Sequence, residues 1–420
     1  AQAYAGHQFG GFSDKLGDGR ALLLGEIIDR TGQRRDLQLK GSGRTPFSRG
    51  GDGKAVLGPV LREYVMGEAM YALGIPTTRA LAAVTTGESI MRDAPQPGAV
   101  LARVAASHLR VGTFQYFAAR GEHDKVAQLA DYAIARHYPE LAKRDDKYLA
   151  FLVAVIDAQV ELMAHWMQVG FVHGVMNTDN VAISGETIDY GPCAFIDTYD
   201  PKTVFSSIDR HGRYAFANKP VITQWNMARF AETLLQMIDP SDSDNAVRLA
   251  TNEINLVPSK YMRVWLAGMR SKIGLISTET GDADLVGGMY SAIEAPGIDH
   301  TIFFRHLGAA AGGSTELLRA LFADATKIDE WLSLWQDRLL RDPQTAPERA
   351  AAMGRKNPVY IPRNHMVEQA LGAASDRNDL EPIRRLLEAV SDPFNKRGGF
   401  EEFEGPAPAS FGTYTTFCGT

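Results

Sequence analysis

Apolar and polar positions alternate in the first hundred residues, and the period becomes helical further along the chain. Residues 21–28 form a short apolar run, and in residues 35–40 leucines alternate with polar side chains. These two segments and residues 99–105 are typical of β-strands. Residues 59–73 are predicted to form a helix, because a proline opens the segment and a glycine and a proline follow it. The front of the chain is therefore predicted to be strand-rich around one helix.

From residue 125 onward, apolar residues recur at three- and four-residue steps, most clearly over residues 146–170. This spacing is typical of amphipathic helices. A short hairpin is expected after residue 170, and the composition becomes irregular from residue 392. Further helices are predicted near residues 225–237, 260–273, 315–322, 328–340 and 380–390.

A strand-rich front followed by a helical remainder predicts an α+β fold in two lobes. We expect an N-lobe over residues 1–115, a helical C-lobe over residues 116–391 and an irregular tail over residues 392–420. The first residues already have the composition of a turn, and neither an initiator methionine nor a signal-like segment precedes them. An upstream segment is therefore expected to be missing, and localisation stays undetermined.

Charge and composition exclude several classes of protein. The chain has 44 Lys and Arg against 50 Asp and Glu, a net charge of −6, which argues against a nucleic-acid surface. Two cysteines are too few for a disulfide framework or a four-cysteine zinc site. The longest strongly apolar run, residues 148–156, is much shorter than the roughly 20 residues of a membrane span. A soluble globular protein without nucleic-acid or membrane partners is expected.

Glycines and basic residues near the N-terminus are the first candidates for chemistry. Gly17 and Gly19 would let the backbone approach an anion, although an ordinary β-turn has the same pattern. Lys40 ends the alternating strand, and a loop with three basic residues and five glycines follows it. Such a loop suits a polyphosphate, but a solvated mobile loop has the same composition.

Glu63 lies on the apolar stripe of the predicted helix 59–73. A carboxylate at such a position is costly unless it is paired. The nearest candidate partner is Lys40, and a strand lysine paired with a glutamate of the next helix holds nucleotide phosphates in protein kinases. In the alternative interpretation, Glu63 lies at the edge of the stripe in water.

The central segment has the spacing of the kinase catalytic and metal-binding loops. His173 and Asn180 are seven residues apart, as in H-R-D-L-x-x-x-N, and a D-Y-G tripeptide beginning at Asp189 follows where kinases have D-F-G. Asn180 and Asp189 are oxygen ligands of the kind that Mg²⁺ takes when it bridges phosphates. His173 is expected to hold the loop backbone.

The kinase catalytic base has no equivalent in this loop. The base stands two residues after the histidine, and Val175 at that position cannot accept a proton. Asp179 is the acidic residue that remains in the loop, which makes it the candidate general base. A turn-forming role is the alternative for an aspartate in this context.

Together these segments resemble the selenoprotein O family of pseudokinases. The resemblance extends over nearly the whole chain and rests on AGHQFG, LGDGR, LQLKGSGRTPFSRGGDG, LREY, HGVMNTDN and TIDYGPCAF. It implies a protein-kinase-like two-lobed fold and the transfer of AMP, instead of phosphate, from ATP to protein hydroxyls. It also implies that ATP binds in the reverse orientation, with its α-phosphate at the reaction centre.

The resemblance also implies a role for individual residues. The implied metal ligands are Asn180 and Asp189, for Mg²⁺ or Mn²⁺, and Asp179 is the implied general base. The implied partners are client proteins modified on Ser, Thr or Tyr. A monomer is expected, in the cytoplasm for a bacterial protein and in mitochondria for eukaryotic relatives. The implied nucleotide-site residues are Gly17, Gly19, Arg20, Lys40, Asp52, Gly53, Glu63, Arg103, Arg110 and Asp189.

Two other functions remain open from the sequence. One is a conventional kinase that uses Asp179 as a displaced base, and the other is an inactive ATP-binding scaffold. The presence of Lys40, Glu63, Asn180 and Asp189 argues against the scaffold. The replacement of the kinase base by a valine argues against a conventional kinase. The choice between ATP and UTP is not decided by any motif.

The two cysteines suggest redox regulation. Cys193 follows the D-Y-G segment, and Cys418 stands in the tail where selenoprotein O relatives carry selenocysteine or cysteine. The hypothesis is that Cys418 makes activity redox-sensitive, through Cys193, a client protein or a small thiol. Alternatively, Cys193 is a small buried hydrophobe and Cys418 a surface thiol, since stable disulfides are rare in a reducing cytosol.

Overall fold

The computed structural model describes residues 1–294 and 297–416. Their strands are β1 Gly6–Gln8, β2 Gly11–Ser13, β3 Ala21–Ile28, β4 Arg34–Lys40, β5 Ala55–Val56, β6 Arg79–Met91, β7 Pro95–Ala105, β8 Phe171–His173 and β9 Cys193–Phe195. Their helices are α1 Leu57–Ala72, α2 Val111–Ala118, α3 His123–His137, α4 Lys147–Val169, α5 Lys219–Ile238, α6 Ser243–Lys272, α7 Asp282–Ile293, α8 His300–Ala310, α9 Glu316–Arg319, α10 Thr326–Leu340, α11 Ala346–Gly354, α12 Asn364–Arg377 and α13 Glu381–Ser391. The α+β prediction is confirmed.

Five of the strands form one antiparallel sheet. Its order is β3-β4-β7-β5, and β6 also pairs with β7. The three predicted strands correspond to β3, β4 and β7. β6 was not predicted, because its mixed sequence has no regular alternation and its strand conformation depends on the long pairing with β7.

The polar face of β4 points into the protein. Asp36 and Gln38 are 3% and 0% exposed, whereas Leu37 and Leu39 are half-buried. Gln38 stands opposite Arg103 of β7, and its side-chain oxygen accepts hydrogen bonds from that guanidinium. A buried polar face is stable only when its groups are paired, and here the pairing lies across the sheet.

The helix predicted over residues 59–73 is present as α1. It ends before Gly74, whose φ of +78° is the left-handed conformation that favours glycine at a helix C-terminus. α1 contacts β6 and β7 of the sheet and also α12 and α13. The helix that carries Glu63 is therefore held by both the sheet and the C-terminal helices.

The remaining helices form the larger part of the protein. α4 is long and apolar enough to cross a membrane by length and composition alone, but most of it is buried inside the protein, where it packs against α5 and α6. Of the helix predicted over residues 315–322, only Glu316–Arg319 is helical, as α9. α2, α7, α8, α11 and α12 were not predicted. A second apolar core lies among α7, α8 and α10.

Two short hairpins bring distant segments to the centre of the molecule. β8 pairs with β9 and brackets the segment with the kinase-like spacing. β1 contacts the short helical turn Thr178–Asn180, which lies about 170 residues later in the chain. The irregular tail reaches the same region, since Thr416 forms a bridge to Ser206.

Candidate nucleotide and metal site

Most of the candidate site residues named in the sequence analysis line one cavity of about 380 Å³. This volume lies in the range of small-molecule sites. Glu63 does not line the cavity and instead lies behind Lys40. The other site residues all line it: Gly17, Gly19, Arg20, Lys40, Asp52, Gly53, Arg103, Arg110, Asp179, Asn180 and Asp189.

Lys40 and Arg103 form an ion cluster with two carboxylates at the base of this cavity. Lys40 Nζ lies 2.6 Å from Glu63 Oε2 and 2.7 Å from Asp189 Oδ1. Arg103 Nη1 lies 2.9 Å from Glu63 Oε1 and 2.6 Å from Asp189 Oδ1. Lys40 and Arg103 come from the paired strands β4 and β7. The pairing of Lys40 with Glu63 is confirmed, and the Lys40 side chain is only 14% exposed.

Arg110 is a third cation in contact with Asp189. Its Nη1 lies 3.1 Å from Asp189 Oδ2, and its Nη2 lies 3.5 Å from Asp18 Oδ1. The guanidinium lies 4.6 Å from the centre of the Tyr4 ring, which adds a cation–π contact. Arg110 immediately precedes α2 and is 2% exposed.

The cations set the protonation state of Asp189. Burial would raise the pKa of this carboxyl group, but Lys40, Arg103 and Arg110 hold it well below its ordinary value. Burial opposes ionisation of Glu63 in the same way, and Lys40 and Arg103 again lower its pKa. Both carboxylates are therefore ionised at neutral pH. Asp189 also has a φ of +61°, which is unusual for a residue other than glycine.

Asp179 has a different environment. It is 7% exposed, its Oδ1 has no hydrogen-bond partner among the described residues, and Gln8 Nε2 lies 3.4 Å from its Oδ2. Burial raises the pKa of Asp179 to about 6. A Cβ atom on Gly6 would lie 2.8 Å from Asp179 Oδ1, so the hairpin approaches this carboxylate closely.

The oxygen ligands offered by Asn180 and Asp189 suit a metal ion that is also bound by phosphate groups. Asn180 Nδ2 donates to the Val175 carbonyl oxygen at 3.0 Å. Asn180 and Asp189 line one cavity and supply oxygen atoms. Within residues 1–294 and 297–416, no group of three or more His, Cys, Asp or Glu could hold a metal ion. Few protein ligands suit Mg²⁺, which usually completes its octahedron with water and substrate phosphates.

His173 holds the loop backbone, as predicted. Its Nε2 lies 3.0 Å from the Ile188 carbonyl oxygen, and its Nδ1 accepts a hydrogen bond from the Val175 N–H at 3.3 Å. The ring stacks on Trp166 with a centroid distance of 5.5 Å. These contacts join the two halves of the β8–β9 hairpin.

Two glycines of the cavity wall, Gly17 and Gly53, are required by close packing between segments of the protein itself. Gly17 has a φ of +79°, and a Cβ atom there would lie 2.3 Å from the Phe47 ring. Gly53 has a φ of +70°, and a Cβ atom there would lie 2.1 Å from the Gly43 carbonyl oxygen. Both positions therefore need glycine before any ligand is considered. Asp52 of the same wall lies 2.8 Å from an Arg92 guanidinium nitrogen.

Sequence reasoning missed several residues of this cavity. Tyr4, Gln8, Asp18, Arg92 and Asn177 also line it. Gln8 lies in the AGHQFG segment, but nothing local in the sequence indicates that this segment contacts the loop from His173 to Asn180.

Of the two cysteines in the redox hypothesis, the structure describes Cys193. Cys193 is fully buried at the start of β9. Cys418 lies outside the described residues, so the hypothesis stays a prediction.

A strand lysine paired with a helical glutamate, and an asparagine and an aspartate on one hairpin, define a kinase-like nucleotide-binding protein. The family model for protein adenylyltransferase SelO matches residues 1–391. The chain belongs to this family, and it is a protein nucleotidyltransferase. The family implies ATP as substrate, a divalent metal and protein acceptors.

Bacterial relatives match the whole chain. A protein of Chromobacterium violaceum is 58% identical over 100% of this chain and 88% of its own length. A protein of Cereibacter sphaeroides is 59% identical, with 86% of its length covered, and one of Rhizobium rhizogenes is 56% identical, with 84% covered. All three are named protein nucleotidyltransferase YdiU. The conventional-kinase alternative is not favoured by these matches.

Proposed function

We propose that this enzyme transfers AMP from ATP to Ser, Thr or Tyr hydroxyls of client proteins, with Asp179 as the general base. In this reaction the hydroxyl oxygen bonds to the α-phosphorus of ATP, and the bond from that phosphorus to the bridging oxygen breaks. Pyrophosphate leaves, and the hydroxyl proton goes to the Asp179 carboxylate. General-base catalysis of this kind contributes about 10²–10⁴-fold to the rate.

The observation that carries this proposal is the distribution of cations among the cavity carboxylates. Asp18, Asp52 and Asp189 each lie within 4 Å of an arginine or lysine nitrogen. Asp179 makes no such ion pair with a described residue, and one of its oxygens has no hydrogen-bond partner there. Val175, at the kinase base position, lines the same cavity and cannot accept a proton.

The other cavity residues suit phosphate binding. Lys40, Arg103 and Arg110 would offset the charge of the triphosphate, and preorganised charge of this kind is usually the largest catalytic contribution. Asn180 and Asp189 would hold Mg²⁺, which supplies further charge neutralisation when it is bound. The glycine loops would let the backbone approach the nucleotide.

The proposed cellular location is inferred from the relatives. All three relatives described above are bacterial. We place the reaction in the cytoplasm, where ATP is available, and assign Mg²⁺ as the metal and a monomer as the active form. The proposed division of the chain stays at residues 1–115, 116–391 and 392–420.

Labelled ATP tests the proposal directly. The enzyme is incubated with a desalted bacterial protein extract and with ATP labelled at either the α- or the γ-phosphate. Label on protein from the α-position alone is expected, and Asp179→Asn should reduce it about 10²–10⁴-fold. Retention of the γ-label alone would identify a kinase. Retention of neither label by an enzyme that still binds ATP would identify an inactive scaffold.

A further inference from the structure

A cluster of aromatic rings and arginines lies beside the catalytic loop. We call it the basic-aromatic patch, and its members come from the β1–β2 hairpin, the loop before Tyr214 and α5. The His7 ring lies 4.9 Å from the Phe12 ring and 5.1 Å from the Trp225 ring. The Arg213 and Arg229 guanidinium groups lie 4.7 and 5.2 Å from the centre of the Trp225 ring. The members of the patch are His7, Phe12, Arg213, Trp225 and Arg229.

Two contacts connect this patch to the catalytic loop. Gln8, which follows His7, has its Nε2 3.4 Å from Asp179 Oδ2. Tyr214, which follows Arg213, donates a 2.6 Å hydrogen bond to Asn177 Oδ1. Gln8 and Asn177 both line the cavity. His7 and Arg213 of the patch are therefore the chain neighbours of Gln8 and Tyr214, which contact the loop that carries the proposed base.

The patch is basic on a protein that carries net negative charge. Arg213 forms no ion pair with a carboxylate of the described residues, while Arg229 lies 2.6 Å from Glu232. Arg210 and His211 are exposed in the same loop. Asp209 is turned inward, where it accepts hydrogen bonds from the backbone N–H groups of residues 213 and 214.

The electrostatic effect of the arginines is visible at His7. Burial lowers the pKa of His7, and Arg229 and Arg213 lower it further, whereas a hydrogen bond with Gln115 opposes this. Both guanidinium groups also contact the Trp225 ring, which favours the side-chain positions seen in the structure. Held in place, an arginine fork loses little entropy when it binds a carboxylate.

We propose that the basic-aromatic patch binds an acidic segment of the client protein that lies near the acceptor hydroxyl in sequence. The inference rests on the proposed function, because it needs a protein acceptor at Asp179. Charge complementarity at the edge of a site orients a partner and raises its association rate. An enzyme with a net charge of −6 would otherwise repel acidic segments, so this patch would select them locally.

Peptide pools test this inference. Each pool has a central Ser, Thr or Tyr, and the neighbouring positions are rich in Asp and Glu, in Asn and Gln, or in Lys and Arg. With α-labelled ATP, the wild type is expected to label the acidic pool about three- to fivefold more than the amide pool for each arginine engaged. Arg213→Glu with Arg229→Glu should shift the preference to the basic pool. An unfolded variant cannot reverse a preference.

Two further variants complete the experiment. Arg213→Gln alone should reduce the acidic preference without reversing it. Arg384→Glu is the matched control, since Arg384 lies on α13 with 70% of its side chain exposed, and it should keep the wild-type preference. Equal labelling of the pools by the wild type, or labelling of extract proteins but of no pool, contradicts the docking surface alone. Absence of α-label from pools and extract contradicts the proposed function, and the docking surface with it.

Discussion

The Arg110 guanidinium donates a 3.0 Å hydrogen bond to the backbone carbonyl oxygen of Asp179. The same nitrogen lies 3.1 Å from the carboxylate of Asp189. One buried cation therefore connects the segment with the proposed base to the segment with the proposed metal ligand. A phosphate that contacts Arg110 would be held at a defined place relative to both.

Substitutions of Asp179 and Asp189 should have separable effects. Asp179→Asn keeps the shape but removes the proton acceptor, so AMP transfer should fall about 10²–10⁴-fold. Its affinity for Mg·ATP should stay within a few-fold of the wild type, as measured by calorimetry. Asp189→Asn should weaken metal-dependent binding itself. Asp145→Asn, in an exposed loop, is the control. Near-normal transfer by Asp179→Asn would show that another group is the base.

Glu63→Gln should destabilise the protein because it leaves Lys40 and Arg103 with less compensating charge. Breaking a buried ion pair costs about 3–5 kcal/mol. Glu68→Gln on the same helix is the matched control, since the ion pair of Glu68 with Arg79 is partly exposed and worth about 0–1 kcal/mol. Urea unfolding measures both variants, and Mg·ATP should restore part of the loss in Glu63→Gln. Equal losses in the two variants would mean that the cluster adds no stability beyond a surface pair.

A methyl group at Gly6 should disturb the proposed base. The Cβ atom of Gly6→Ala would lie 2.8 Å from Asp179 Oδ1, so one of the two segments must move. We expect AMP transfer to fall about tenfold or more, because small displacements of catalytic groups are costly. Gly11→Ala in the same hairpin is the control, since its Cβ atom would meet only the Gln8 carbonyl oxygen, at 3.6 Å. The explanation is wrong if both variants transfer AMP at the same rate.

Lys272→Met should stabilise the protein at neutral pH. Burial lowers the pKa of Lys272 to about 7, while in the unfolded chain it lies near 10.4. The unfolded state therefore binds more protons between these pH values, so wild-type stability should rise from pH 7 to pH 10. At pH 7 and below, the variant should be more stable than the wild type, because it buries no group that must lose its proton or be buried as a charge.

The pH dependence distinguishes this effect from a general gain in stability. Thermal unfolding between pH 6 and pH 10 should give a flatter profile for Lys272→Met than for the wild type. Lys327→Met, at an exposed position of α10, should keep the wild-type slope. A wild-type slope in Lys272→Met would mean that this lysine stays charged in the folded protein.

Local patterns in the sequence were sufficient for part of the fold and of the site. The helix that carries Glu63 and the strand that ends at Lys40 depend on periodicity and on terminal residues, which neighbouring positions reveal. The spacing from His173 to Asn180 and the following Asp189 is equally local. Lys40, Glu63, Asn180 and Asp189 could therefore be named from local patterns, whereas Arg103 and Arg110 were implied only by the family resemblance.

Tertiary structure decided the orientation of faces and the approach of distant segments. The polar side of β4 is buried because Arg103 and Glu63, which are far away in the chain, pair with it and with Lys40. Strand β6 exists because β7 pairs with it, and its own alternation is weak. The His7 N–H donates to Thr178 Oγ1 across 171 positions of sequence, which brings Gln8 to the proposed base. Such contacts follow from the packing of the whole chain, so no local pattern contains them.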